Sequence, residues 1–231
     1  MIELKRLKVS NNVIRRLPRY LRKLDELSEH GITRVSSSEL GQQLGFTPSQ
    51  IRQDFSCFGE FGQQGYGYNV LALRSQIASI LGMDRGLNAI LVGVGNIGRA
   101  LMDNFCFSAW GCNLVGAFDV RSDLVGTSFN GIEIHSMDSL SEFLEANRVD
   151  LAVLTVPKAA ATSVANLLVE SGIGAIWNFT NVDVTGPSSS VIVENVHFSD
   201  SLLSLSYFIS ERNDEEELKN SGEDISGPVL E

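Results

Sequence analysis

Apolar residues in the first part of the chain recur at helical spacing, in short groups. Tyr20, Leu21, Leu24 and Leu27 form one stripe, Pro18 suits a first helical position and Gly31 lies beyond the stripe, which predicts a helix over 18–29. Ser36-x-x-Glu39 is a capping box that opens a second short helix with Leu40 and Leu44 inward and Gly45 at its end. Thr47-x-x-Gln50, with Pro48 at the first helical position, opens a third. Between Phe55 and Tyr68 the glycines Gly59, Gly62, Gly65 and Gly67 alternate with Phe58, Phe61 and Tyr66, the pattern of a tight β-hairpin. Leu73, Ile77, Ile80 and Leu81 return to helical spacing over 71–81.

Beyond the link at Met83-Asp84-Arg85-Gly86 the period changes. Short Val/Ile/Leu-rich runs at 89–92, 114–118, 151–156, 175–178 and 191–193 alternate with helical patterns at 97–105, 139–145 and 159–171. Strands of this kind are buried on both faces, which predicts an α/β fold with a mostly parallel, doubly wound sheet. A last helix over 201–210, apolar at Leu202, Leu205, Phe208 and Ile209, packs either on its own sheet or on a partner subunit. The acidic stretch from Glu211 onward reads as a mobile tail. The expected division is 1–82, 83–200, 201–210 and 211–231.

Composition narrows the class. With 43% hydrophobic and 20% charged residues the chain is neither disordered throughout nor fibrous. No run approaches the roughly 20 apolar residues of a membrane span, and the first residues carry no secretory signal, so no membrane contact and a cytoplasmic location are expected. Cys57, Cys106 and Cys112 are odd in number and lack a CxxC pair, which predicts free thiols and no metal site. Net charge is divided unevenly: residues 1–82 hold 11 Lys+Arg and 7 Asp+Glu, whereas 83–231 hold 7 and 21. A +4 piece on a −14 remainder points to the first piece as the one that meets a polyanion.

Two motifs carry the chemistry. Gly93-Val94-Gly95-Asn96-Ile97-Gly98 directly follows a strand and opens a helix, the context in which GxGxxG cradles a pyrophosphate. Asp119 ends the next strand, 21 residues after Gly98, where a carboxylate accepts the adenosine ribose hydroxyls and repels a 2′-phosphate; this favours NAD(H) over NADP(H), with Arg121 weakening the exclusion. The second motif is helical. Ile51, Phe55 and Phe58 share one face of the third helix, leaving Ser49, Gln53 and Ser56 opposite and Arg52 on the flank, the arrangement of a helix-turn-helix reading helix. Arg15, Arg16, Arg19 and Arg22 cluster on or before helix one, placed to meet phosphates or an adjacent acidic domain. His30, His135 and His197 stand outside any nucleophile or acid–base constellation, so a dinucleotide sensor is expected rather than an enzyme. The alternative is a small NAD-dependent oxidoreductase with an N-terminal oligomerisation domain.

These residues together resemble the Rex family of redox-sensing transcriptional repressors. The resemblance rests on Val35-Ser36-Ser37-Ser38-Glu39-Leu40, on Ser49-Gln50-Ile51-Arg52-Gln53-Asp54-Phe55-Ser56, on the Gly/aromatic segment from Phe58 to Val70, on the glycine loop, Phe118-Asp119, Leu154-Thr155-Val156-Pro157 and Trp177-Asn178-Phe179-Thr180. It implies a homodimer with an N-terminal winged helix, a Rossmann domain and a terminal helix exchanged between subunits. NADH would release palindromic operator DNA, while NAD+ would compete and permit binding. Carried over residue by residue, it implies that Thr155, Val156, Pro157, Asn178, Phe179 and Thr180 line the nicotinamide side and that Phe198 packs there across the dimer. Ser36, Ser37, Ser49, Gln50, Arg52, Gln53 and Ser56 would meet DNA, with Gln63, Gln64 and Tyr66 in the wing. Gln53, Gln63 and Gln64 stand where the family usually carries Lys or Arg, which implies weaker or less salt-dependent DNA binding. His197 replaces a family carboxylate, so a link from that position to Arg22 is not expected to hold.

Overall fold

The computed structural model describes residues 9–59, 61, 66–185 and 191–221. It divides into a first unit ending at Gly86, which also takes in Ala109–Gly111, and a second beginning at Leu87.

In the first unit α1 (Asn11–Glu29) is followed by β1 (Arg34–Val35), α2 (Ser37–Leu44), α3 (Pro48–Ser56), β2 (Tyr68–Asn69) and α4 (Val70–Ile80). The first helix starts at Asn11, not at 18, because the Ser10 side chain accepts from Val13 N and caps it there; Pro18 lies inside. An internal proline costs about 3 kcal/mol. Leu17, Tyr20, Leu21 and Leu24, all at most 1% exposed, outweigh it, since each fully buried side chain of this size is worth about 1.5–3 kcal/mol. The capping box at Ser36 and Glu39 forms as expected, as does the Thr47 cap with Pro48 behind it. Antiparallel pairing sets Arg34 opposite Asn69 and Val35 opposite Tyr68, so among the described residues β2 takes its partner from ahead of α2. Residues 60 and 62–65 of the expected hairpin lie outside the described residues.

The second unit runs β3 (Leu87–Val92), α5 (Asn96–Asn104), β4 (Cys112–Asp119), β5 (Ser128–Phe129), β6 (Ile132–Ser136), α6 (Leu140–Ala146), β7 (Leu151–Leu154), α7 (Ala161–Glu170), β8 (Ala175–Asn178), β9 (Ile192–Asn195) and α8 (Phe198–Ser221). Sheet order is β5-β6-β4-β3-β7-β8-β9, parallel at every pairing except β5 with β6. The parallel part follows the doubly wound Rossmann order outward from β3 in both directions, so the topological switch lies at β3. Ile90 and Val92 pack into one layer with Leu140, Ala161 and Leu168, while Ala89 and Leu91 pack into the other with Met102 and Phe107. Both faces of the strand are thereby covered, as its unbroken apolar run requires.

Two features differ from the periodicity reading. The β5–β6 ribbon was not anticipated, although Asn130 (φ 49°) and Gly131 (φ 78°) form the Asn-Gly turn that marks a two-residue hairpin. The last helix begins at Phe198 and continues through the acidic stretch to Ser221, past the expected end at 210. Tyr207 Oη donates to Glu211 at 3.3 Å and Arg212 pairs with Glu216 one turn on at 3.9 Å, and Glu-rich sequence is itself a good helix former.

Candidate dinucleotide site and nucleic-acid face

At the C-terminal end of β3 the chain turns at Gly93 (φ +99°), where a Cβ would lie 2.8 Å from the Thr155 carbonyl carbon. A Cβ on Gly98 would lie 2.2 Å from Gly93 O, so the start of α5 can sit against the turn only with glycine there. Thr155 locks the arrangement, its hydroxyl donating to Gly93 O at 2.7 Å. Val94 belongs to the core. Gly95, Asn96 and Ile97, by contrast, are exposed, and a Cβ on Gly95 would have no protein atom within 4 Å. Helix α5 has no side-chain cap, leaving its first N–H groups to an outside acceptor. An open cradle at the positive end of a helix fits a pyrophosphate.

Asp119 closes this corner. It is 8% exposed, with Oδ2 accepting from Val94 N at 2.7 Å and Oδ1 from Arg121 N at 2.9 Å. These bonds tie the carboxylate to the glycine loop, and each oxygen retains a lone pair for a ribose hydroxyl. Arg121 Nη2 donates to Val94 O at 3.1 Å, and its Nε stands 3.6 Å from Asp119 Oδ1. Beside them a cleft of about 100 Å³ is lined by Val92, Gly93, Phe118, Asp119, Val120, Met137, Val156, Pro157, Ala160 and Val164. Apart from Asp119 its walls are apolar or glycine, suited to a flat ring such as adenine. Of these walls the sequence pointed to Gly93 and Asp119, and to Val156 and Pro157, which it had placed on the nicotinamide side; Val120 was legible as the residue after Asp119. Met137, Ala160 and Val164 reach the cleft through packing that carries no local signal.

The loop after β8 is differently used. Asn178 is fully buried, its Nδ2 donating to Val182 O and Asn195 Oδ1 at 2.8 and 2.7 Å. Its Oδ1 accepts from Thr180 N and Oγ1 at 2.9 and 2.6 Å. These two side chains shape the loop from below. Phe179 lies against Trp177 and Phe198, ring centres 4.6 and 6.3 Å away. His197 Nε2 is 2.9 Å from Asp183 Oδ1, so the imidazole ties the start of α8 to this loop. His30 contacts Glu26 O, and His135 packs on Phe118 and Phe143.

In the first unit α3 presents Ser49, Arg52, Gln53 and Ser56 to solvent, with Gln50 half-buried. Ser49 contacts Thr47, Ser56 donates to Gln53 O, and Arg52 Nη1 donates to Ser37 Oγ at 3.0 Å, bridging α3 to α2. Two of the expected phosphate-facing arginines serve the fold. Arg16 clamps Asp54 of α3 through Nε and Nη2, both at 2.7 Å, and Tyr20 Oη donates to the same carboxylate at 2.7 Å. The Asp54 hydrogen bonds push the Arg16 guanidinium above its ordinary range; burial first, and Asp54 second, push the Tyr20 hydroxyl up. Arg19 donates to Leu44 O at 2.9 Å and lies 4.4 Å over the Phe46 ring. Arg15 and Tyr66 are exposed; Gln63 and Gln64 lie outside the described residues.

A helix-turn-helix unit followed by a Rossmann unit with a dinucleotide corner defines the class of ligand-responsive DNA-binding proteins. Residues 8–56 match the family model "Putative DNA-binding protein N-terminus" and residues 84–182 match "CoA binding domain". The redox-sensing transcriptional repressor Rex of Caldicellulosiruptor saccharolyticus is 50% identical over 208 residues, covering 90% of this chain and 94% of that relative. Three crystal structures of RSP, a Rex-family repressor, are similar over 91–93% of this chain. The complex with β-NADH is 42% identical, covers 91% of this chain and 99% of its own, and has a TM-score of 0.84. For the complex with β-NAD+ and operator DNA the values are 44%, 93%, 99% and 0.83. This chain belongs to the Rex family of redox-sensing transcriptional repressors.

Proposed function

We propose that this chain is an NADH-responsive repressor that binds palindromic double-stranded operator DNA as a homodimer and leaves it when NADH occupies the second unit. The observation that carries the reading is the open Gly95 cradle beside the tethered Asp119, on a chain that also holds a helix-turn-helix. A dinucleotide is favoured over coenzyme A because the relatives solved at 42–44% identity hold β-NADH or β-NAD+. Backbone groups of Gly93, Val94, Gly95, Asn96, Ile97 and Gly98 take the pyrophosphate, Asp119 takes the ribose, Val156 and Pro157 wall the adenine cleft, and Thr155 and Phe179 form the nicotinamide side on a loop that Asn178 and Thr180 hold in shape. The bound group supplies a redox-dependent ring charge; the protein transfers no hydride and only reads it. For that reading to move DNA, the reduced form must bind the DNA-incompetent state more tightly, since equal affinity would shift nothing.

Ser49, Gln50, Arg52, Gln53 and Ser56 of α3 read the groove, with Ser36, Ser37, Arg15 and the 63–66 segment at phosphates or minor groove. Dimerisation runs through α8, whose Leu202, Leu205, Tyr207 and Phe208 are 55–66% exposed, a face suited to exchange with a second copy so that Phe198 meets the partner's site. Such a protein works in the cytoplasm, where DNA and the NADH pool meet. Fluorescence anisotropy on a palindromic AT-rich operator tests the reading at fixed salt: low NADH releases DNA and NAD+ does not. Binding indifferent to both ligands refutes it.

A further inference from the structure

The parallel strands β8 and β9 end side by side at Asn178 and Asn195, 17 positions apart in the sequence. In open α/β sheets this end of the strands is the one that meets a ligand. The Asn195 amide grips the loop that leaves β8. Its Oδ1 accepts from Asn178 Nδ2 at 2.7 Å and from Val184 N at 3.2 Å, and its Nδ2 donates to Val184 O at 3.4 Å. Val184 is thus held at both its N–H and its C=O, much as a neighbouring strand would hold it, and its side chain is anchored in the core at 4% exposed. Asn195 is itself fixed by the strand pairing and by the next residue, since Val196 N donates to Asn178 O at 2.8 Å. At the other end of the loop Phe179 N donates to Leu154 O at 2.9 Å, which sets Phe179 beside the strand end that carries Thr155. Removing the Asn195 side chain deprives Val184 N, Val184 O and Asn178 Nδ2 of a partner at once. A buried polar network holds one geometry while every member is satisfied and loosens when it is not.

We propose that Asn195 is a positioning residue for the nicotinamide half of the site: acting through Asn178 and Val184, it holds the loop on which Phe179 meets the ring. The proposal rests on the dinucleotide reading above. The glycine cradle and Asp119 belong to other elements, so the adenosine half should be indifferent to Asn195 and the nicotinamide half should not. Its test is calorimetric titration of the full chain with NADH and with 5′-ADP, which fills the adenosine half alone, in the wild type, Asn195→Ala and Asn195→Asp, together with the nicotinamide fluorescence of bound NADH. Asn195→Ala binds 5′-ADP within about twofold of the wild type but NADH about tenfold more weakly, the size of one lost hydrogen bond, and the emission of its bound NADH moves toward that of the free dinucleotide. Asn195→Asp keeps both acceptor contacts, to Asn178 Nδ2 and Val184 N, and recovers part of the affinity and of the emission. Equal losses of NADH and 5′-ADP in Asn195→Ala overturn the proposal, assigning Asn195 to the stability of the whole unit. Unchanged NADH affinity and emission overturn it as well, and both results leave the repressor reading intact. Failure of the wild type to bind NADH defeats the dinucleotide reading, and this proposal with it.

Discussion

Replacing Asp54 by alanine tests what holds the reading helix in place. The carboxylate is 2% exposed and accepts three hydrogen bonds of 2.7 Å, two from Arg16 on α1 and one from Tyr20. Its loss leaves the fully buried Tyr20 hydroxyl unpaired, at about 1–3 kcal/mol, and strips Arg16 of its counter-ion. Removing one partner of a buried ion pair costs about 3–5 kcal/mol. The Arg16 side chain is 19% exposed and can draw in water, which puts its share at the low end. The two losses overlap, so the expected total is about 4 kcal/mol. In a unit of this size each kcal/mol moves Tm by roughly 4–8 °C, so its melting should fall by about 15 °C or more. Differential scanning calorimetry of the full chain reads that shift. Operator anisotropy should report at least about tenfold weaker DNA binding, while NADH affinity stays within about twofold because the carboxylate lies in the other unit. The triple variant Arg16→Met, Tyr20→Phe and Asp54→Leu, which removes both charges and the hydroxyl bonded to them, should lie much closer to wild type. A single variant within about 1 kcal/mol of wild type would refute the claim that this clamp seats α3.

Further outcomes follow from the same geometry. Gly95→Ala should leave Tm almost unchanged, since its Cβ meets no protein atom, yet weaken NADH by about tenfold through crowding of the pyrophosphate. Gly98→Ala should lower both Tm and affinity, because its Cβ would lie 2.2 Å from Gly93 O; paired calorimetry and titration separate the two cases. The raised Tyr20 hydroxyl gives a definite sign to alkaline stability. Unfolded tyrosine loses its proton near the ordinary value of 10.0 while folded Tyr20 keeps it, so its contribution is complete below that pH and declines as pH rises beyond it. Denaturant midpoints at pH 9 and 11 should diverge more in wild type than in Tyr20→Phe. Leu205→Asp with Phe208→Asp should convert a dimer to a monomer in size-exclusion chromatography with light scattering, and an unchanged mass would remove α8 from the interface.

Local chemistry was the legible part. The caps at Ser36 and Thr47, the glycine loop and Asp119 depend on neighbours within a few residues or on one strand–turn–helix unit, and each forms where its residues predict. Pro18 misled because a proline suits either a helix start or an internal position over a strong apolar face, and only the packing of Leu17 and Leu21 distinguishes these. The fold contacts of Arg16 and Arg19 were hidden for a different reason. Arg16 and Asp54 are 38 positions apart, and nothing local to either marks them as partners. Asn178 likewise sits in a motif that reads as ligand-facing, yet Asn195 and Thr180 consume its amide.

What the chain determined by itself was the order of helices and strands, the change of period near residue 86 and the residue types at the pyrophosphate corner. All of these follow from spacing, glycine sterics and capping between near neighbours. Tertiary structure decided which polar groups are spent on the fold and which remain for a ligand. Arg16 and Arg19 turn to Asp54 and Leu44 O, while Gly95 stays open. The division has one physical cause: a buried charge must find a partner wherever the chain brings one, and that partner is chosen by three-dimensional proximity instead of sequence distance.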